Sequence, residues 1–323
     1  MRWAAGISAI AALAAAGASQ AAVCKIWGPP QRIGLLDVSL IKEASGIAAS
    51  RRFSGRLYHN NDSGDGPNVY VTDAAGRGTR TVAIAGFTPT DVEDIAVGPC
   101  AENASCLYVG DIGDNFAKRQ TVDFVLVVET AAFEGPLKPL RVVHARYPDK
   151  PHDAEAFAVH PNGDLFLVTK PVDLVNRRAG VAQVFRLTAA QLAAEGEAAQ
   201  TFEPVGDIDL PYLLYENNLA GQLATGLDIA PDGSRFVLIT YQSAIEVGFD
   251  LSKPLPSSRG WAPGRDYRIV ATAPMPQTEA VSYAPDGEAI LYDTELTLSA
   301  AMAPIHLPAN GEAPLYRQAC EAR

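Results

Sequence analysis

Basic residues are scarce in this chain of 323 residues: 26 Lys and Arg stand against 37 Asp and Glu, for a formal charge of -11. That balance argues against a nucleic-acid partner, because a phosphate backbone rewards Lys and Arg. An acidic surface is mainly a statement about solubility. Histidine is confined to His59, His144, His152, His160 and His306, and no H-E-x-x-H pair occurs, which leaves the zincin arrangement unsupported. No G-x-S-x-G is present, so the nucleophile elbow of an α/β-hydrolase is absent. No glycine-rich nucleotide loop leads into a helix. Outside the N-terminus, no apolar run approaches the ~18 residues of a membrane helix.

The N-terminus carries a targeting pattern instead. Met1-Arg2-Trp3 supplies a charged start, an Ala-, Ile- and Leu-rich run reaches Gly17, and Ser19-Gln20-Ala21-Ala22 provides small exit residues. This reads as a signal peptide over residues 1–22 and places the remainder, 23–323, in the periplasm or outside the cell. A lipid anchor on Cys24 is the alternative, with bulky Val23 where a small residue is wanted. Four cysteines suit an oxidising compartment. Of the three possible pairings, Cys24–Cys320 with Cys100–Cys106 agrees best with the repeat pattern described next.

Five times an acidic or polar residue opens a short apolar run, which meets a second apolar run ending in polar residues. The copies begin at Glu43, Glu93, Glu155, Thr225 and Glu279, and their second runs end at Asp62, Asp111, Lys170, Thr240 and Glu295. Units of roughly 50–70 residues are blade-sized. The segments are short and rich in β-branched and aromatic residues, as in Val122–Val128 and Arg235–Ile239. Pro161-Asn-Gly-Asp164, Pro231-Asp-Gly-Ser234 and Pro285-Asp-Gly-Glu288 mark tight turns between first and second strands. The stretch Thr188–Ala199 is Ala- and Glu-rich and predicts a helix.

Four strands fit each of the first four units and three fit the fifth, whose last strand falls near Pro314–Gln318. Arg32–Val38 supplies the missing fourth strand, closing the ring and removing its open edges. The expected architecture is an all-β, five-bladed β-propeller in one domain. Six blades remain the alternative if residues 296–307 hold further strands.

In a propeller the start of each first strand and the end of each second strand emerge together near the axis. That geometry gathers Glu43, Glu93, Glu155, Glu279 and Glu295 with Lys170 as a ligand-binding funnel. Crowded carboxylates need a cation, a proton or a base. The loops Asn60–Gly66 and Gly110–Asn115 space oxygen donors with glycines, so Asp62, Asp65, Asp111, Asp114 and Asn115 are candidate Ca²⁺ ligands. Plain turn chemistry reads the same loops without a metal. Asp91-x-Glu93 and Asp153-x-Glu155 recur in register, and Glu93, Glu155, Asp153 and Lys170 are the catalytic candidates.

Glu43–Ile47, His59–Asp65, Glu93–Ala96, Gly110–Asn115 and Asp153–Ala156 together resemble a broad group of exported bacterial β-propeller proteins. More distantly, the chain resembles the phytase-like and esterase-like propellers. The resemblance implies bound calcium and, in the phytase branch, hydrolysis of phosphate esters with Lys and Arg around the phosphates. Three functions stand open: a calcium-stabilised propeller binding a small-molecule or protein ligand at its acidic funnel, a calcium-dependent phosphate- or carboxylic-ester hydrolase, and a protein-interaction scaffold. A monomer without integral membrane contact is expected.

Overall fold

The computed structural model describes residues 22–296, except 102, 174, 216 and 217, and residues 311–323. Five small antiparallel sheets form a ring, which is a five-bladed β-propeller. Blade one is Ala44–Ala49, Arg56–Asn61, Asn68–Asp73 and Arg80–Ala83. Blade two is Val92–Ala101, Ala104–Asp111, Val122–Val128 and Arg141–Arg146. Blade three is Ala154–Val159, Leu165–Thr169, Ala182–Leu187 and Glu203–Ile208, and blade four is Ala224–Ile229, Phe236–Thr240, Ala244–Val247 and Tyr267–Val270. Blade five is Gln277–Tyr283, Ala289–Glu295 and Ala313–Ala322, with Gln31–Leu36 as its outer strand. Residues 297–310 lie outside the described residues, and with them all but Leu296 of the 296–307 segment on which the six-blade alternative rests. The predicted signal peptide, apart from Ala22, lies outside them too.

Burial on both faces of the first and second strands, as in Ala44–Ala49, Ala154–Val159 and Leu165–Thr169, explains why the sheets stack. Each of the five gaps between neighbouring blades holds its own core. Phe236 and Phe166 meet between blades three and four, Phe124 and Phe157 between two and three, and Tyr58 and Val109 between one and two. Leu57 and Leu315 fill the seam between the last blade and the first, and Tyr283 and Ile239 the gap between four and five. Trp261 is buried in one of these cores.

The three Pro-Asx-Gly turns form as expected. Gly163, Gly233 and Gly287 lie at φ +92°, +75° and +72°, where a side chain is strained, and each N–H donates to the carbonyl three residues back. The ring closes as expected too. Gln31 stands opposite Arg317 and Leu36 opposite Ala313, while Ile26–Trp27 pairs with the far half of the same strand. Cys24 bonds Cys320 and Cys100 bonds Cys106, so the sulfur of Cys24 takes part in the closure.

The helix is shorter than predicted, at Ala189–Ala193. Thr188 and Gln191 form a capping box at its start, but Ala194 is extended and Gly196 is left-handed (φ +98°). Gln200–Thr201 then pairs in parallel with Ala145–Arg146 at the edge of blade two. Tertiary pairing overrides the helical propensity of the Ala-rich run. A second short helix, Leu210–Leu214, leads from blade three towards blade four.

Candidate functional site

The same irregularity recurs in all five inner strands. Pairing with the second strand slips between Ala44 and Gly46, Val92 and Asp94, Ala154 and Ala156, Ala224 and Gly226, and Thr278 and Val281. Each slip is a β-bulge, which adds one residue and re-aims a side chain. The bulged positions are Ser45, Glu93, Glu155, Thr225 and Glu279, and all five are buried. The blade-one copy of the repeat therefore aligns on Ser45, not on Glu43. Glu43 stands two residues earlier and is half-buried, its N–H on Asn61 Oδ1 and its carbonyl accepting the N–H of Asp62.

A second tier comes from residues that follow the second strands, Asp62, Lys170 and Tyr241, and from Glu295 at the end of its own. Asp62, Asp91 and Glu93 converge: one carboxylate oxygen from each lies within 4.8 Å of the others. Gly113 makes room for them, since a β-carbon there would clash with Glu93 Oε1 and lie 2.5 Å from Asp91 Oδ2. Its N–H donates to Asp91 O (3.1 Å), and its carbonyl accepts from Arg119 (2.8 Å). Burial is the main force weakening these acids. It pushes Glu93 well above the ordinary carboxylate range, with Asp62 adding repulsion and Lys170 opposing it. Asp91 is pushed up to about 6 by burial, then by Asp62 and Asp153, and Asp62 is raised chiefly by burial.

On the blade-three side, Lys170 Nζ pairs with Glu155 and lies 3.9 Å from Asp153 Oδ2. The Tyr241 hydroxyl donates to Glu155 Oε2 (3.4 Å), and the N–H of Asp114 donates to Asp153 Oδ1 (2.9 Å). Asp153 Oδ2 is buried without a hydrogen-bond partner. On the blade-five side, the Gln277 amide donates to Glu279 Oε1 (2.7 Å) and to Glu295 Oε2. Burial and mutual repulsion lift Glu279 well above its ordinary value, and burial lifts Glu295 to about 7. Tyr241 is driven up by burial and then by Glu279 and Glu93. These side chains lie at the same end of the five inner strands and form one axial chamber, rich in carboxylates, with Lys170 as a buried cation.

The other loop oxygens are otherwise engaged. Asp65 accepts from Tyr70 (2.6 Å), Asn61 (3.2 Å) and Gly66 N–H (2.8 Å), which is turn chemistry. Asp111 holds the N–H groups of Thr90 and Asp91 and pairs with Arg119 (2.8 Å). Asp114 accepts the N–H of Arg119 (2.7 Å), and Asn115 is exposed. Only Asp62 of those five joins the converging trio. Asp293 faces His59 (3.4 Å) in full burial between blades five and one, and His59 also meets Thr72 (3.1 Å). Gln242 points outward to Asn218 (2.9 Å). Its neighbour Tyr241, which sequence reasoning passed over, takes the chamber position, and the signal was its place after Thr240, matching Lys170 after Thr169.

The fold and chamber define a five-bladed β-propeller with a buried acidic axis. No family model and no curated protein matches the chain. Solved structures resemble it at low identity. Hydrazine synthase of Kuenenia stuttgartiensis shares 16% identity at a TM-score of 0.38, with 79% of this chain and 56% of that one covered. An auxiliary nutrient binding protein of Bacteroides thetaiotaomicron shares 10% at 0.44, covering 81% and 59%. The present chain thus spans under two thirds of both. A gluconolactonase of Xanthomonas campestris shares 12% at 0.43, covering 95% and 99%. These likenesses carry no functional argument.

Proposed function

We propose that the axial chamber binds a divalent cation, calcium foremost, on Asp62, Asp91 and Glu93, and a small oxygen-bearing ligand beside it. The observation that carries this reading is the convergence of those three carboxylates in a space kept open by Gly113. Their donors are hard oxygens, which suit Ca²⁺, and three carboxylates leave coordination positions for water and ligand. A bound cation would neutralise the repulsion in the chamber and offer a Lewis-acidic contact to a ligand oxygen. Lys170 and Tyr241 supply donors alongside. The two disulfides support an oxidising compartment as the working location.

The test is calorimetric titration of chelator-treated protein with Ca²⁺, paired with thermal melts. Stoichiometric binding and a raised melt, both lost in Glu93→Gln and Asp91→Asn, support the reading. Absence of binding with an unmoved melt sinks it.

One arrangement favours a second reading, an ester hydrolase. Glu155, Lys170 and Asp153 form an acid–base group next to the proposed cation. Turnover of p-nitrophenyl phosphate or acetate that disappears in Glu155→Gln, with Ca²⁺ affinity retained, supports it. No turnover by the calcium-loaded protein returns the chamber to binding alone.

A further inference from the structure

The arginines of blade one are dispersed along the sequence, and the fold collects them on the face opposite the chamber. Arg56 opens the second strand opposite Asp73, which closes the third, and Arg80 opens the fourth opposite Val71. All three therefore end at one edge, with Arg77 in the turn between and Phe53 in the loop before Arg56. Phe53, Arg56, Arg77 and Arg80 line a groove of about 350 Å³. The lining carboxylate is Asp73, whose Oδ1 is held by the N–H groups of Ala75 (2.8 Å) and Arg77 (2.9 Å).

Arg56 is fixed in place. It donates to the carbonyls of Thr130 (2.7 Å) and Ala131 (2.5 Å) and stacks 4.4 Å from the Phe53 ring centre. Arg77 and Arg80 are exposed, and neither makes an ion pair among the described residues. Three arginines thus line one groove of a molecule whose formal charge is -11, Arg56 with its guanidinium already donated to two carbonyls. The overall field repels anions, so binding here must come from close contacts of the guanidinium forks.

We infer that this groove is a second ligand site, specific for a phosphate-class oxyanion. Guanidinium forks match phosphate oxygens in paired, charge-assisted hydrogen bonds. The volume falls within the ~300–1,000 Å³ of small-ligand sites. The phosphate arrives either on a free small molecule or on a lipid headgroup.

The test is titration with pyrophosphate at low salt, in chelator and on the Glu93→Gln background, so that the chamber cannot contribute. Binding that weakens at least about tenfold in Arg77→Glu/Arg80→Glu, but stays within about twofold in Lys253→Glu on an unrelated loop, supports the site. Both variants change exposed residues, and a thermal melt checks that each is folded. No binding by the parent protein, or equal binding by the double variant, overturns it. Flotation with phosphatidic acid vesicles against phosphatidylcholine vesicles separates the sources. Arginine-dependent flotation assigns a headgroup, and its absence beside pyrophosphate binding assigns a free phosphate compound.

Discussion

At the scale of single residues, Gly113 is the sharpest probe of the chamber. Its missing side chain lets Asp91 and Glu93 approach Asp62, so Gly113→Ala must push two carboxylates aside. Calorimetry should show Ca²⁺ affinity reduced at least about tenfold, equivalent to ~1.4 kcal/mol, with the fold kept. The raised carboxyl groups also set a pH dependence. Asp91 near 6 and Glu295 near 7 hold protons more tightly folded than unfolded, where ordinary values near 4 apply. The stability that these two groups lend the metal-free protein therefore falls as pH rises from about 4 to 7. Thermal melts in chelator should drop between pH 5 and pH 8, by less in Asp91→Asn and by less with calcium, which favours the ionised forms. Acidic residues near the axis were legible from the repeats, but their grouping was not. Glu43 mimicked the spacing of Glu93, while Ser45 occupies the equivalent place. A bulge breaks the two-residue alternation from which sequence register is read.

At the scale of strands, carboxylates of the inner strands, buried Asp94 and half-buried Asp228, tie one blade to the next. Asp94 in blade two accepts the N–H of Phe157 in blade three (3.0 Å) as well as that of Ile95 (2.8 Å). Asp228 in blade four likewise accepts the N–H of Tyr283 in blade five (2.7 Å). Asp94→Ala leaves both N–H groups buried and unpaired, and chemical denaturation should register a loss of about 2–3 kcal/mol. Strands and their Pro-Asx-Gly turns were legible because alternation and a positive-φ glycine are local properties. The length of the helix after Thr188 was not, because Gln200–Thr201 is claimed by the edge of blade two, a partner more than 50 residues away.

At the scale of the whole molecule, the two disulfides differ in what they constrain. Cys24–Cys320 spans 296 residues and clamps the closing blade, whereas Cys100–Cys106 spans 6. On the chain-entropy account these are worth about 5–6 and about 2 kcal/mol. Replacing the first pair with serine should lower the melting temperature more than replacing the second, and equal losses would show that closure rests on the strands alone. Five repeated units, their turns and the N-terminal closing strand were determined by sequence alone, because each follows from local patterning or from the need to cover an open edge, whereas the favoured cysteine pairing was one of three. Which carboxylates meet, which merely hold turns, and that dispersed arginines share one groove were decided only by tertiary structure. Ring closure brings together side chains from separate blades and strand register those within one blade, and no local pattern encodes those distances.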